Sequence, residues 1–312
     1  MQQKEKNILV IKHGAFGDII QSDGIFKSIK RRHPNTNLIL LTSSLYKKIV
    51  MESPYFSNII EDNRLPLWHL CGYFALLKNL HSYSFSHVYD LQNSQRTSMY
   101  KFLLLKNVIW ITTKRNDHPI SGLQGLIDML KSDGMQSKEI LEPDLSWLIN
   151  DVSLLLKKYK ILKKYIVLIP GSSRKHPEKR WPFYNDLAIE FMNRGYDVIN
   201  IIGPDEIDLK KSLEGHVLDS LEWGDLAGVI SKSSFVIGND TGPCHIASCL
   251  KKPGIALFGP TTSATKSELA RGAFNILELS DLRKLSSIKL FEKIQKSHNF
   301  WLLNCIVPCL QR

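Results

Sequence analysis

Three short stretches hold the residues whose types and spacing suit chemistry. The first is GAFGD, residues 14 to 18, directly after the apolar run NILVIK. Gly14 and Gly17 permit a tight turn and a close approach of backbone to ligand. Asp18 opens a helix-like segment, where its carboxylate serves either as an N-cap or, aimed outward, as a general base. The residues alone leave both roles open, and the two are compatible. The second stretch, GSSRKHPEKRWP, follows the run YIVLIP and gathers Arg174, Lys175, His176, Lys179 and Arg180 beside Ser172 and Ser173. Cations interleaved with small donors suit a diphosphate, although a solvated basic loop reads the same way. The third, GNDTGPCHIAS, ends a strand-like run and starts a helix. Asp240 and Thr241 suit capping, Gly242 allows close approach, and Pro243 suits a first helical turn. Free amides at such a start favour an anion. His245 in the following turn is a core residue, a ligand contact or a proton carrier. Glu206, in IIGPDE, either accepts from a ribose or sugar hydroxyl or simply begins a helix. GPTTSATK adds hydroxyls after the last strand-like run.

Other chemistries fit less well. No GxGxxG spacing is present and no acidic residue closes the second strand NLILLT, which argues against a classical NAD site. The five cysteines form no CxxC pair, which argues against a disulfide framework or a zinc ribbon. Cys244 and His245 are adjacent and point about 100° apart on a helix, so no metal is expected there. The formal net charge of +11 favours an acidic partner, but no nucleic-acid motif or dense basic tract accompanies it.

The elements that must position these residues follow from the alternation of short Ile, Val and Leu runs with helical segments, the pattern of βαβ units around a parallel sheet. Strands are expected at NILVIK, NLILLT, HVYDLQ and VIWIT, with helices at 19–32 and 98–105 between them. A second series runs through YIVLIP, a helix at 184–194, DVINIIGP, a helix at 206–213, SFVIGN, a helix from His245, and GIALFGPTT. A looser stretch with an amphipathic linker, LLLKKYKILKKY, separates them. The 312 residues thus read as two doubly wound halves. No apolar run approaches the roughly 18 residues that cross a bilayer, and the start lacks a signal-peptide core. A cytoplasmic chain is expected. LPLWHLCGYFALLKNL is a core helix or, through Trp68 and Phe74, a membrane-facing one.

GAFGD, PGSS followed by KRWP, and IGNDTGPCHIASCLKKPGIALFGPTT together resemble glycosyltransferase family 9, which includes the ADP-heptose:lipopolysaccharide heptosyltransferases. The resemblance runs from about residue 7 to 265. It implies an α/β protein of GT-B architecture, two Rossmann-like doubly wound domains facing a cleft. It further implies an inverting, metal-independent hexosyl- or heptosyl-type transferase without a cofactor. An acceptor domain would span 1–155, a donor domain 156–285, and a helical tail over 286–312 would pack back on the first domain.

Residue by residue, the resemblance makes Asp18 the catalytic base and Lys179 the partner of the leaving diphosphate. Ser172, Ser173, Asp240, Thr241, Gly242, Pro243 and His245 fall at the donor phosphate and sugar, and Gly203 and Glu206 at the nucleoside. Gly14, Gly17, Gln21 and Arg96 fall on the acceptor side. Where heptosyltransferases commonly carry a histidine and then a proline, this chain has Gln21, Asp23 and Gly24. The implied partners are a nucleotide-diphosphate sugar and an anionic glycolipid, with peripheral attachment to the inner face of the membrane, no nucleic acid and a monomeric state. The competing readings are a non-catalytic glycolipid- or partner-binding paralogue in envelope assembly and a GT-B-shaped nucleotide-sugar epimerase.

Overall fold

The structure is a computed structural model that describes residues 7–66, 69–103, 108–113, 122–173, 176–261 and 267–297. Trp68, Arg174, Lys175, most of GPTTSATK and the tail beyond 297 lie outside the described residues. The chain divides into two units, Met1–Leu148 and Ile149–Arg312. The division falls a few residues before the expected boundary at 155, because Asn150 already bonds within the second unit, its N–H donating to the Gly224 carbonyl (3.1 Å).

The first unit carries β1 (Asn7–Ile11), α1 (Phe16–Gln21), α2 (Asp23–Arg32), β2 (Asn37–Thr42), α3 (Ser44–Met51), β3 (Asn58–Glu61), α4 (Leu70–His81), β4 (Phe85–Asp90), α5 (Gln95–Leu103), β5 (Ile109–Thr112) and α6 (Gly122–Ser132). Its parallel sheet has the order β3-β2-β1-β4-β5. Every residue of β1 is buried, as a central parallel strand covered on both faces requires. Leu9, Ile11, Ile39, Leu41 and Val88 of the sheet meet Leu76 and Leu80 of α4 and Tyr100 of α5. That helix is thus a core element through Leu76 and Leu80, while its Phe74 is exposed.

A single helix was expected over 19–32; the structure breaks it at Ser22. The Ser22 hydroxyl donates back to the Asp18 carbonyl (2.6 Å), a local bond that competes with helical continuation. The buried Asp23 carboxylate then accepts the Asp144 N–H (2.7 Å) and the Trp147 indole N–H (3.0 Å). A Cβ on Gly24 would lie 2.2 Å from the Leu141 carbonyl oxygen, so only glycine lets α2 approach that segment. Two of the residues that depart from the family pattern are therefore used to seat α2 inside its own unit.

Burial pushes the Asp23 carboxyl up to about 6, against the downward pull of the Asp144 N–H and the Trp147 indole. The folded chain holds a proton there that the unfolded chain has already released, so Asp23 should make stability fall as pH rises from 3.8 to about 6. Two pKa units correspond to about 3 kcal/mol at most. Denaturant midpoints across this window should show that slope in the native chain and a flatter one in Asp23→Asn. An unchanged slope in the variant would count against the assignment.

The second unit carries α7 (Ser153–Lys158), β6 (Tyr165–Ile169), α8 (Tyr184–Met192), β7 (Asp197–Ile202), a 3-10 segment Pro204–Lys211, β8 (His216–Asp219), α9 (Trp223–Lys232), β9 (Phe235–Asn239), α10 (Gly242–Cys249), β10 (Gly254–Phe258), β11 (Phe274–Glu278) and α11 (Ser287–Ser297). Its sheet order is β11-β10-β9-β6-β7-β8, parallel throughout. Both sheets thus reverse direction beside their first strand, β1 against β4 and β6 against β9. Ligands of open α/β sheets bind at that switch point, beyond the carboxyl ends of the strands.

The linker helix is short: α7 stops at Lys158, and Lys160 takes a left-handed φ of 56°. The tail that begins at 286 includes one described helix, Ser287–Ser297. Its helix α11 packs on α8 of its own unit, with the Phe191 and Phe291 rings 5.2 Å apart and Leu290 and Ile294 in the same core. The physical reason is its apolar stripe, Leu290, Phe291 and Ile294, which matches the face of α8 that presents Phe191. Among the described residues, no helix is long and apolar enough to cross a membrane.

Candidate active site

In the first unit the polar loops at the switch point follow β1 and β4. The β1 loop is fixed by its main chain: the Lys12 N–H donates to the Leu41 carbonyl (3.0 Å), and the His13 N–H to Gln92 Oε1 (2.9 Å). Gly14 has a φ of +132°, and a Cβ there would lie 2.5 Å from the Tyr46 ring. The tight turn inferred from GAFGD is therefore steric fact at Gly14, while Gly17 lies inside the first turn of α1. Ala15 occupies the cap position, and its N–H donates to Asp18 Oδ2 (3.2 Å). Asp18 is thus the third helical residue rather than the N-cap. Its side chain stays 55% exposed, and Lys12 Nζ, on a side chain only 10% exposed, lies 3.6 Å from the same oxygen. Burial lowers the Lys12 pKa, and the facing Asp18 and Asp90 carboxylates push it back.

Behind this loop lies a buried polar cluster that sequence reading did not find. His13 Nε2 lies 2.8 Å from Asp62 Oδ2, and the Tyr100 hydroxyl donates to the same oxygen. Burial alone would raise the Asp62 carboxyl, but the His13, Tyr100 and Arg64 N–H bonds together bring it to about 2. Arg96, expected on the acceptor side, is drawn into this cluster. It donates to the Leu65 carbonyl (2.8 Å) and Asp62 Oδ1 (3.4 Å), and its Nε donates to the Tyr100 hydroxyl. Gln21 is buried as well. The only sequence signal for Asp62 was its place after the weak strand NIIE.

In the second unit the loops after β6, β7 and β9 converge. Asn239, fully buried at the end of β9, ties that strand to the segment after β6: its amide donates to the Pro170 and Gly171 carbonyls (3.0 and 2.9 Å). Its Oδ1 accepts the Trp181 N–H (3.3 Å) and the Tyr184 hydroxyl (3.0 Å). Trp181 is buried, with its indole donating to the Leu285 carbonyl (2.9 Å), so the aromatic of KRWP anchors the lysine two positions before it. Lys179 Nζ donates to Asp240 Oδ2 at 2.8 Å, the two side chains 16% and 15% exposed. Thr241 caps α10 by position, without a side-chain cap bond, and Pro243 lies in its first turn.

Ser172 is completely buried, bonding the His176 carbonyl (2.8 Å) and accepting from Arg180 Nε (3.2 Å). It braces the loop instead of offering a free hydroxyl, while Ser173 is exposed. Glu206 Oε2 accepts the Gly203 N–H (2.8 Å), and its carboxylate lies flat on Gly171, where a Cβ would stand 2.0 Å away. Burial raises the Glu206 carboxyl, partly offset by the Gly203 N–H and by Arg180. Its side chain therefore sits between the ends of β6 and β7. His245 is half-buried on α10, whereas Cys244 and Cys249 face the core. Among the described residues no group of three metal-ligating side chains comes together.

Two Rossmann-like units, each with its polar residues at the switch point, are the architecture of the GT-B fold, which the solved structures bear out. The solved structure of the family 9 glycosyltransferase from Veillonella parvula superimposes with a TM-score of 0.78 over 95% of this chain and 97% of that one, at 17% identity. Escherichia coli heptosyltransferase WaaC with ADP gives a TM-score of 0.73 over 93% and 99%, at 16% identity. In sequence, lipooligosaccharide heptosyltransferase 2 of Haemophilus influenzae is 24% identical over 295 residues, 82% of this chain and 84% of that protein. The model of glycosyltransferase family 9 (heptosyltransferase) matches residues 133–294, and the chain belongs to that family. It is accordingly a glycosyltransferase.

Proposed function

We propose that the protein transfers heptose from ADP-heptose to a lipopolysaccharide-core acceptor, with inversion at the anomeric carbon. The observation that carries this reading is the division of chemistry between the units. The first presents one half-exposed carboxylate at its switch point, Asp18, and the second presents a lysine–aspartate pair beside the start of α10. The acceptor therefore belongs to the first unit and the donor to the second. Asp18 Oδ2 is the oxygen held by Ala15 and faced by Lys12, which leaves Oδ1 to take the acceptor proton. The acceptor oxygen then bonds to the anomeric carbon as the bond from that carbon to the diphosphate oxygen breaks. The electron pair leaves with the diphosphate, met by Lys179 and the amides that open α10. Glu206, seated on Gly171, holds ribose hydroxyls. The names of relatives support this donor and acceptor: an ADP-heptose lipopolysaccharide heptosyltransferase and heptosyltransferase 2 proteins. The net charge of +11 and the exposed Leu45, Met51 and Phe74 of the first unit support work at an anionic membrane surface.

The test incubates the protein with ADP-heptose and a truncated core glycolipid. ADP release should be matched by a gain of one heptose in the acceptor mass, and ADP, unlike UDP or GDP, should raise the melting temperature. Donor consumption without any acceptor, or stabilisation by UDP alone, would refute the reading.

A further inference from the structure

Asp18 does not aim itself. Its Oδ2 accepts the N–H of the cap residue Ala15 at 3.2 Å, and a bond of that length on a half-exposed side chain leaves its rotamer free to wander. Lys12, directly after β1, brings its Nζ within 3.6 Å of Asp18 Oδ2. The neighbouring loop groups are already committed: His13 is bound by Gln92 and Asp62. An ammonium on a side chain 10% exposed is unfavourable unless paired. The charged groups that face Lys12 are Asp18 and Asp90, with the His13–Asp62 pair on the adjoining loop and strand end. Asp90 is buried and tethered by the Gln92 and Asn93 N–H groups (3.1 and 2.9 Å), so it balances the lysine without leaving its own place.

We propose that Lys12 is a positioning residue for the transfer reaction, its ammonium holding Asp18 Oδ2 so that Oδ1 faces the acceptor hydroxyl. This inference rests on the reading of Asp18 as the base. Lys12 neither gives nor takes a proton: the hydroxyl proton passes to Oδ1, and Lys12 keeps all three of its own. Both side chains belong to the first unit, so the pair is preformed before either substrate arrives.

The experiment compares Lys12→Met, Lys12→Gln and Lys12→Arg in the full chain by kcat, donor KM, ADP affinity from titration calorimetry and melting temperature. Met and Gln should lower kcat by about 10- to 100-fold, with donor KM and ADP affinity changed less than about twofold. Arg, which keeps the charge, should recover most of the loss. Added to Asp18→Asn, Lys12→Met should lower the residual rate by less than about twofold, because two residues that act as a unit are not additive. A native kcat in Lys12→Met, or the same factor lost in both backgrounds, would overturn the proposal while leaving Asp18 as base intact. A fully active Asp18→Asn would instead remove the base reading itself. Should Met unfold the protein, Gln and Arg keep a polar head at the site, and the contrast between them decides the outcome.

Discussion

Asp18→Asn should lower kcat by about 10²- to 10⁴-fold, the range for loss of a well-placed general base, while ADP affinity and melting temperature stay near native. The substitution is nearly isosteric. An Asn carbonyl oxygen can still accept the Ala15 N–H that Asp18 Oδ2 accepts at 3.2 Å, so α1 keeps its first turn. What is lost is the capacity to take a proton, together with the charge that faces Lys12 at 3.6 Å. Donor binding is predicted to survive because Asp18 lies in the first unit and the groups proposed for the donor lie in the second. Rapid-quench transfer assays alongside ADP titration separate the two quantities. A variant that turns over at the native rate would exclude Asp18 as base, and one that loses ADP binding would place it at the donor.

Lys179→Ala should reduce kcat/KM by about 10²- to 10³-fold, as expected for loss of a group that meets developing charge, and should weaken ADP binding as well. Two effects add in the same direction. The variant loses the ammonium proposed to meet the leaving diphosphate, and it leaves Asp240, paired with Lys179 at 2.8 Å, as an uncompensated anion where the proposed diphosphate would sit. Adding Asp240→Asn to Lys179→Ala should therefore restore part of the ADP affinity without restoring kcat. The loop itself should persist, because its anchor is Trp181 through the Leu285 carbonyl rather than the lysine. Calorimetry with ADP and steady-state transfer rates check both statements. Native ADP affinity in Lys179→Ala would mean that the diphosphate lies elsewhere.

Most strands legible in the sequence were those buried on both faces; the edge strand β5, partly exposed, was legible as well because VIWIT is itself an apolar, β-branched run. β1, β2, β6, β7, β9 and β10 carry runs of Ile, Leu and Val because central parallel strands are covered above and below, and such runs are visible without any knowledge of neighbours. The strands that escaped notice, β3, β8 and β11, lie at or next to sheet edges and are only partly buried, so their apolar signal is diluted by polar residues. The break between α1 and α2 escaped for a different reason: Asp23 bonds Asp144 across 121 positions, and no local periodicity carries that information.

The site divides along the same line. Turn chemistry and helix starts are local, so the sequence alone located the Gly14 turn with Asp18 behind it, the KRWP loop, and the DTGP helix start that carries the family resemblance. Only the tertiary structure decided which of those residues meet. Sheet order brings Lys179 to Asp240 across 61 positions and lays Glu206 on Gly171. It also draws Arg96 and Ser172 into braces, and it brings Lys12 to Asp18. Strand order and the closeness of loops at a switch point arise from the packing of whole elements, and side-chain pairings across them are therefore not written in any short stretch of the chain.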